Sequence, residues 1–302
     1  MRHNGAQPIT RIHRGTAWYP RSRWRAFTII EVLVAIGLVA LLIGLLLPAL
    51  GGSRRAAQLS VCASNARQLQ MANDLYAPDF QDAYAPGMPD RLSNLTRWYG
   101  ARASQSSAFT SDGGPLSEYL GVGRADGGVR VCPTFAPTLS LLAAQTAAGA
   151  GFERGCGGYG YNTAFVGAVR SKEAGGVWVL VTDRAGMARA RFTDPVRTAA
   201  FSDAALRDAT GIAGVVEYSF LEPRFWPEFP GQRPDPSVHF RHGGGTGVGG
   251  SSRRASVAWL DGHVSAEGLT FSQGSGFYAG EPRDAHIGWF GAADDNGLYD
   301  PD

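Results

Sequence analysis

Phe27-Thr-Ile-Ile-Glu31-Val-Leu-Val-Ala-Ile-Gly-Leu-Val-Ala-Leu-Leu-Ile-Gly-Leu-Leu-Leu47 decides how this chain is organised. Its 21 residues include one ionisable group, Glu31. As a helix rising about 1.5 Å per residue it is roughly 30 Å long, the thickness of a bilayer's hydrocarbon core. A soluble core helix of that length shows a polar face, and this stretch has none. The sequence therefore predicts a membrane-spanning helix. A carboxylate at the centre of such a helix is disfavoured by about 2.5–3.5 kcal/mol on insertion scales, so its presence asks for a reason.

What precedes the run sets its orientation. Residues 1–26 carry Arg2, Arg11, Arg14, Arg21, Arg23 and Arg25 and no acid. An arginine excess before a membrane helix keeps that end in the cytoplasm, and Arg54 and Arg55 beyond the helix oppose it only two against six. A secretory signal peptide also has a basic start, but its apolar run is usually about 7–15 residues long, followed by a small-x-small cut. Here the run is longer and passes into Pro48-Ala-Leu-Gly-Gly-Ser-Arg-Arg55.

The segment Arg25-Ala26-Phe27-Thr-Ile-Ile-Glu31-Val-Leu-Val-Ala35 resembles the cleavage and methylation signal of type IV prepilins and type II secretion pseudopilins. The family usually has Gly before the cut, where this chain has Ala26. The resemblance implies that a prepilin peptidase and N-methyltransferase cuts between Ala26 and Phe27 and methylates the new Phe27 amine. Glu31, the fifth residue of the mature chain, is then an assembly residue. In a packed filament, Glu31 of one subunit would pair with the Phe27 amine of its neighbour, offsetting two desolvation penalties at once.

Composition bounds the remainder. With 302 residues, 44% of them apolar, the chain can bury a sizeable core. Its 41 Gly and 17 Pro, about a fifth of the chain, predict a loop-rich head rather than a helical bundle. Six of the 28 basic residues lie in the leader, leaving 22 against 26 acids, a mature charge of −4. No basic patch stands out, so nucleic acid is not an expected partner. Three cysteines, Cys62, Cys132 and Cys156, permit one internal disulfide, and an oxidising compartment outside the inner membrane allows it.

Beyond the membrane segment, Pro48, Gly51 and Gly52 are expected to bend or loosen the helix, and Ser53 to cap a new start. Leu59, Cys62, Ala66, Leu69, Ala72 and Tyr76 recur at three- and four-residue steps, the mark of an amphipathic helix that Pro78 ends. In the head, Gly114–Gly121 reads as a short helix, and Val129–Pro133 as a strand end. Cys156–Asn162 reads as a Gly-rich turn with aromatics. Gly176–Thr182, Thr198–Asp203 and Val215–Leu221 read as strands. Ser256–Leu260, Asp261-Gly262 and His263–Ala266 form the clearest hairpin, with Asp-Gly as a two-residue turn of positive φ.

The head also resembles a large bacterial subfamily of prepilin-type proteins whose C-terminal signature is a His, about nine residues, then Asp-Gly. Arg241-His242-Gly-Gly-Gly and Val-Ala-Trp-Leu-Asp261-Gly262-His263-Val match its two halves, with 18 residues between His242 and Asp261. Cys132-Pro133 and Tyr159-Gly-Tyr-Asn162 look like that subfamily too, and the resemblance implies assembly rather than catalysis.

Metal chemistry would need His239, His242, Asp261 and His263 to converge; the bland reading is a turn and a strand end, and no metal or other cofactor is assigned. Cys132 and Cys156 are a possible disulfide, with Cys62 a small core residue. Asp294, Asp295 and Asn296 of the acidic tail fit a solvated terminus better than a calcium site. No nucleophile elbow, phosphate loop or dinucleotide fingerprint is present, and Gly243–Gly250 lacks the following Lys and helix.

The expected fold is α+β and pilin-like: a long N-terminal helix, transmembrane in its first half, packed on an antiparallel β-sheet head with loop-rich insertions. The expected divisions are a cleaved leader (1–26), a transmembrane helix (27–50), an amphipathic continuation (51–77) and an extracytoplasmic head (78–302). The chain reads as a non-enzymatic subunit that assembles with like subunits, in the inner membrane, into a pilus or a type II secretion pseudopilus. The alternative is a membrane-tethered binding or metal-dependent hydrolytic head that forms no filament.

Overall fold

A computed structural model of the chain describes residues 28–121, 131–145, 154–208, 214–243, 253–274 and 280–302. The chain divides into two compact units, 1–49 and 50–302. A single helix, α1, spans Ile29–Tyr76. In the first unit its large apolar side chains are exposed throughout, from Ile29 at 81% to Leu47 at 63%. Its most apolar window has a mean hydropathy of 2.9 and no part of it is buried. By length and composition this helix can cross a membrane.

The expected new helix start at Ser53 does not occur. Backbone stays helical through Pro48, Gly51, Gly52 and Ser53. An interior proline removes one hydrogen bond and crowds one carbonyl. Leu45–Leu47 before it and the Arg54–Gln58 run after it are good helix formers, and they carry the helix across.

In the second unit the helix buries the face its periodicity predicts. Cys62, Ala66, Leu69, Ala72 and Tyr76 are all buried. At Tyr76 the α-helix gives way to the 3-10 turn Ala77–Phe80, which holds Pro78. That face packs on a four-stranded antiparallel sheet, with the strands in the order Val264–Gly268, Arg254–Trp259, Ala199–Asp203, Tyr159–Tyr161. Side chains alternate across it except at a bulge opposite Ala258 and Trp259, which sends Ala199 and Phe201 to opposite faces. Tyr159, Tyr161, Phe201 and Ala258 face the helix. Ala199, Ala255, Val257 and Trp259 join Phe165, Trp289 and Phe290 in a second core on the other side. Covered on both faces, the two inner strands are buried along nearly their whole length. The architecture is α+β.

Polar groups on the buried helix face register it against the sheet. Asn73 accepts from the backbone N–H of Ala85 at 2.9 Å and donates to the Tyr161 hydroxyl at 3.1 Å. Gln70 donates to the carbonyl of Leu260 at 3.2 Å. Both are buried; Asn73 uses both ends of its amide, whereas Gln70 Oε1 is buried without a hydrogen bond.

Several short elements differ from expectation. Gly114–Gly121 is a succession of turns, not a helix, with the Ser117 hydroxyl accepting from the Gly114 N–H. Of Val129–Pro133, residues 129 and 130 lie outside the described residues and the rest is turn. Val215–Leu221 keeps strand pairing only at Val215–Val216, with Phe220 bridging Tyr161. The Gly-rich segment at Cys156 ends in a strand, Tyr159–Tyr161. Gly160 is obligatory there, since a Cβ would lie 2.5 Å from the Phe220 carbonyl oxygen. The hairpin is present, but its turn is longer than two residues. Gly262 N–H donates to Trp259 O, and Trp259 N–H to His263 O. Only Gly262 has positive φ, at +87°, and the two-residue turn first expected needs it at both central positions.

Candidate functional site

The start of α1 comes first. Thr28 and Glu31 close a reciprocal cap: Glu31 Oε2 accepts from the Thr28 backbone N–H at 2.8 Å and its hydroxyl at 3.0 Å. The Thr28 hydroxyl oxygen in turn accepts from Glu31 N–H at 3.2 Å. This is the capping-box arrangement, Thr-x-x-Glu ahead of an apolar run. The signal stands in the sequence, and it went unread there beside the cleavage motif. It matters in a membrane, where no water satisfies the first N–H groups of a helix. Ala26 and Phe27 lie outside the described residues.

In the head, the two halves of the His…Asp-Gly signature sit at opposite ends of one strand. His242 bridges Arg254, its N–H donating to Arg254 O at 2.9 Å and its carbonyl accepting from Arg254 N–H at 2.7 Å. Asp261 and Gly262 form the hairpin tip. Between them run the six residues Arg254–Trp259, on the order of 20 Å of strand at about 3.3 Å each. The bridge sets this arrangement whatever the length of chain between residues 242 and 254, which accommodates the wide spacing. Asp261, His263, His239 and His242 therefore do not converge. Asp261 Oδ1 lies 2.6 Å from His263 Nδ1 in a partly exposed pair, and His263 stacks on Trp259. His239 presents its ring edge to Phe135.

His242 instead meets residues that spacing did not suggest. Its Nε2 lies 3.0 Å from Asp203 Oδ2 and 3.9 Å from Cys132 Sγ, while Nδ1 lies 3.3 Å from the Thr134 hydroxyl. Cys132 is bridged to Cys62, not to Cys156, with the Cα atoms 5.1 Å apart. The expected pairing fails because the Cys156 side chain is directed elsewhere: its thiol donates to Glu217 Oε1 at 3.5 Å. Cys62, on the buried face of α1, is within bridging distance of the turn that carries Cys132.

Asp203, Cys62, Cys132 and His242 are all buried. Asp203 Oδ2 also accepts from Ser256 N–H at 2.6 Å, while Oδ1 faces the Arg241 Nε at 3.9 Å without a hydrogen bond. Arg241 is held by the carbonyls of Gly158 and Ala204 at 3.0 and 2.7 Å and stacks on Phe135. Nothing in the sequence near Asp203 marks it out. Its position at the end of an inner strand does.

A second feature is a cavity of about 240 Å³ lined by Arg170, Asp183, Tyr218 and Glu222 among others. Glu222 is buried and accepts from the Tyr218 hydroxyl at 2.6 Å. Burial pushes its carboxyl up to about 7 from an ordinary 4.5. The folded chain therefore holds a proton there between about pH 4.5 and 7 that the unfolded chain has released. Stability falls as pH rises through that window, by on the order of 3 kcal/mol. Glu222→Gln is expected to remove this slope. Wild type should lose melting temperature relative to the variant between pH 5 and 8. His239, kept neutral by burial, acts in the opposite sense below its ordinary 6.5, so the difference between the two proteins is the quantity to read. Parallel profiles would exclude Glu222 as the source.

Comparison with known proteins gives no matching family model, no matching curated protein and no matching solved structure.

Proposed function

We propose that this chain is a pilin-like or pseudopilin-like subunit: inserted with its N-terminus in the cytoplasm and its head outside the inner membrane, cut between Ala26 and Phe27, methylated at Phe27, and packed through its N-terminal helix into a filament. The observation that carries the reading is the character of Ile29–Leu47. It is an apolar helical segment with every large side chain exposed, opened by an acid-bearing cap directly after the motif that resembles a prepilin cut. An apolar surface without a polar face is stable only in lipid or against other helices. A helix with the Thr28 and Glu31 N–H groups already satisfied is better able to begin at the membrane edge once the leader is gone. The His…Asp-Gly signature contributes to folding rather than chemistry, fastening the two ends of one core strand.

Mass spectrometry of the N-terminus of the mature protein tests the reading. The expected product begins at Phe27 and carries one methyl group on its amine. Recovery of the native chain with all 26 leader residues attached would overturn the proposal.

A further inference from the structure

The buried cluster under the α1–sheet contact has a composition that a disulfide alone does not require. Cys62 Sγ, Cys132 Sγ, His242 and Asp203 each direct one donor atom into a space where these atoms lie within 4.8 Å of one another. We propose that, when the Cys62–Cys132 bridge is reduced, these four residues bind one structural Zn²⁺ through the two thiolates, His242 Nε2 and an Asp203 carboxylate oxygen.

Geometry is the first argument. Ligand atoms of tetrahedral zinc, bonded at about 2.0–2.3 Å, lie about 3.3–3.8 Å from one another. His242 Nε2 is already 3.9 Å from Cys132 Sγ and 3.0 Å from Asp203 Oδ2, close to those separations, whereas the two sulfurs, bonded in the cystine, must part by about 1.7 Å once reduced.

Charge is the second. Asp203, fully buried, already faces His242 and Arg241 in the oxidised chain, and Zn²⁺ with two thiolates adds no net charge to that balance. Two thiolates, one carboxylate and Zn²⁺ sum to one negative charge, and the Arg241 guanidinium, 3.9 Å from Asp203 Oδ1, balances it. Asp203 Oδ1 is buried and accepts no hydrogen bond, which leaves it the capacity to act as a ligand.

The surroundings are the third. Thr134 Oγ1 at His242 Nδ1 can accept the ring N–H and leave Nε2 for the metal, the outer contact a ligating histidine needs. Ser256 N–H holds the carboxylate at 2.6 Å. All four ligands are buried and none leaves an open position, which assigns the site to structure rather than catalysis. They come from α1, the turn before the helix Ala136–Gln145 (α2), the end of strand Ala199–Asp203 and the residue bridged to Arg254 at the start of the hairpin. The ion would thus fasten the same elements that the bridge fastens.

The exchange balances. A dithiol gives two electrons and two protons to the cystine, becoming a cyclic disulfide and leaving two thiols. Zn²⁺ then displaces the two thiol protons. Oxidation reverses both steps and releases the ion.

The test uses the full chain in detergent, reduced with a phosphine (which takes oxygen from water and does not chelate zinc), then equilibrated with Zn²⁺ or Co²⁺ and desalted. One Zn²⁺ per reduced chain is expected, and none per oxidised chain. The Co²⁺ form should show a thiolate charge-transfer band and the visible bands of a tetrahedral site. Asp203→Asn is expected to weaken Zn²⁺ binding at least tenfold, and His242→Ala to abolish it. Cys156→Ser should retain full stoichiometry. Should the substituted chains fail to fold, the wild-type Co²⁺ spectrum decides alone: a missing thiolate band overturns the proposal. So does equal metal content in the oxidised chain, or loss of metal on Cys156→Ser.

Discussion

Glu31→Leu is expected to leave membrane insertion and cleavage between Ala26 and Phe27 intact while abolishing recovery of the protein in sheared filaments. Insertion cannot be the step that suffers. Replacing a carboxylate by leucine within an apolar helix favours insertion, by up to about 3 kcal/mol near the bilayer centre and less at the edge. The structure adds a complication that decides how the experiment should be built. Glu31 already has a task within its own chain, closing the cap with Thr28. Loss of filaments from the leucine variant alone would thus not separate a weakened helix start from a missing partner between subunits. Glu31→Gln separates them, because glutamine serves the capping box as well as glutamate does but carries no charge to meet an amine. If pairing with the neighbour's Phe27 amine is what assembly needs, Glu31→Gln behaves like Glu31→Leu. Thr28→Ala, which loses the hydroxyl half of the cap at about 1 kcal/mol, still assembles. Normal filament yield from Glu31→Gln would reduce Glu31 to a local cap.

The parts of the fold legible in the sequence are those with a short repeat. The apolar run and the stripe from Leu59 to Tyr76 are written in residue spacing, and helix geometry turns that spacing into a face. The hairpin was legible because Asp261-Gly262 interrupts two strand-like runs, although the turn's length was not. What stayed hidden involves partners distant along the chain. His242 was visible as a motif residue, but its neighbours Asp203 and Cys132 come from segments 39 and 110 residues away in sequence, and no local pattern links them. The misassigned bridge has the same cause. Cys132 and Cys156 looked like partners because they are close in sequence, whereas the fold brings α1 alongside the turn at Cys132. That no new helix starts at Ser53 was hidden for a different reason. A helix breaker is a local cost, and the segments on either side outweigh it. The capping box was fully legible, since Thr28 and Glu31 stand at the required spacing.

Cys62→Ser is expected to lower the stability of the oxidised chain by about 4 kcal/mol, the largest stability effect of any single substitution considered. The bridge closes a separation of 70 residues, and the loop-entropy relation gives about 4 kcal/mol for a loop of that size. It joins α1 to the turn before α2, so its loss also loosens the helix face that seats Ala66 and Leu69 on the sheet. For a domain of this size the change corresponds to a fall in melting temperature on the order of 10 °C, read by circular dichroism with a chelator present to keep metal from the remaining thiol. Cys132→Ser should match it, because either substitution opens the same link. Cys156→Ser is the control, since a hydroxyl there keeps a donor for Glu217 and no bridge is lost. Peptide mapping under non-reducing conditions supplies an independent readout, with the fragment holding Cys62 expected to migrate joined to the fragment holding Cys132. If Cys156→Ser proved as destabilising as Cys62→Ser, or mapping joined Cys132 to Cys156, the α1-to-turn linkage would be wrong. The packing of the amphipathic half of α1 would then have to rest on its apolar face and the Asn73 and Gln70 contacts alone.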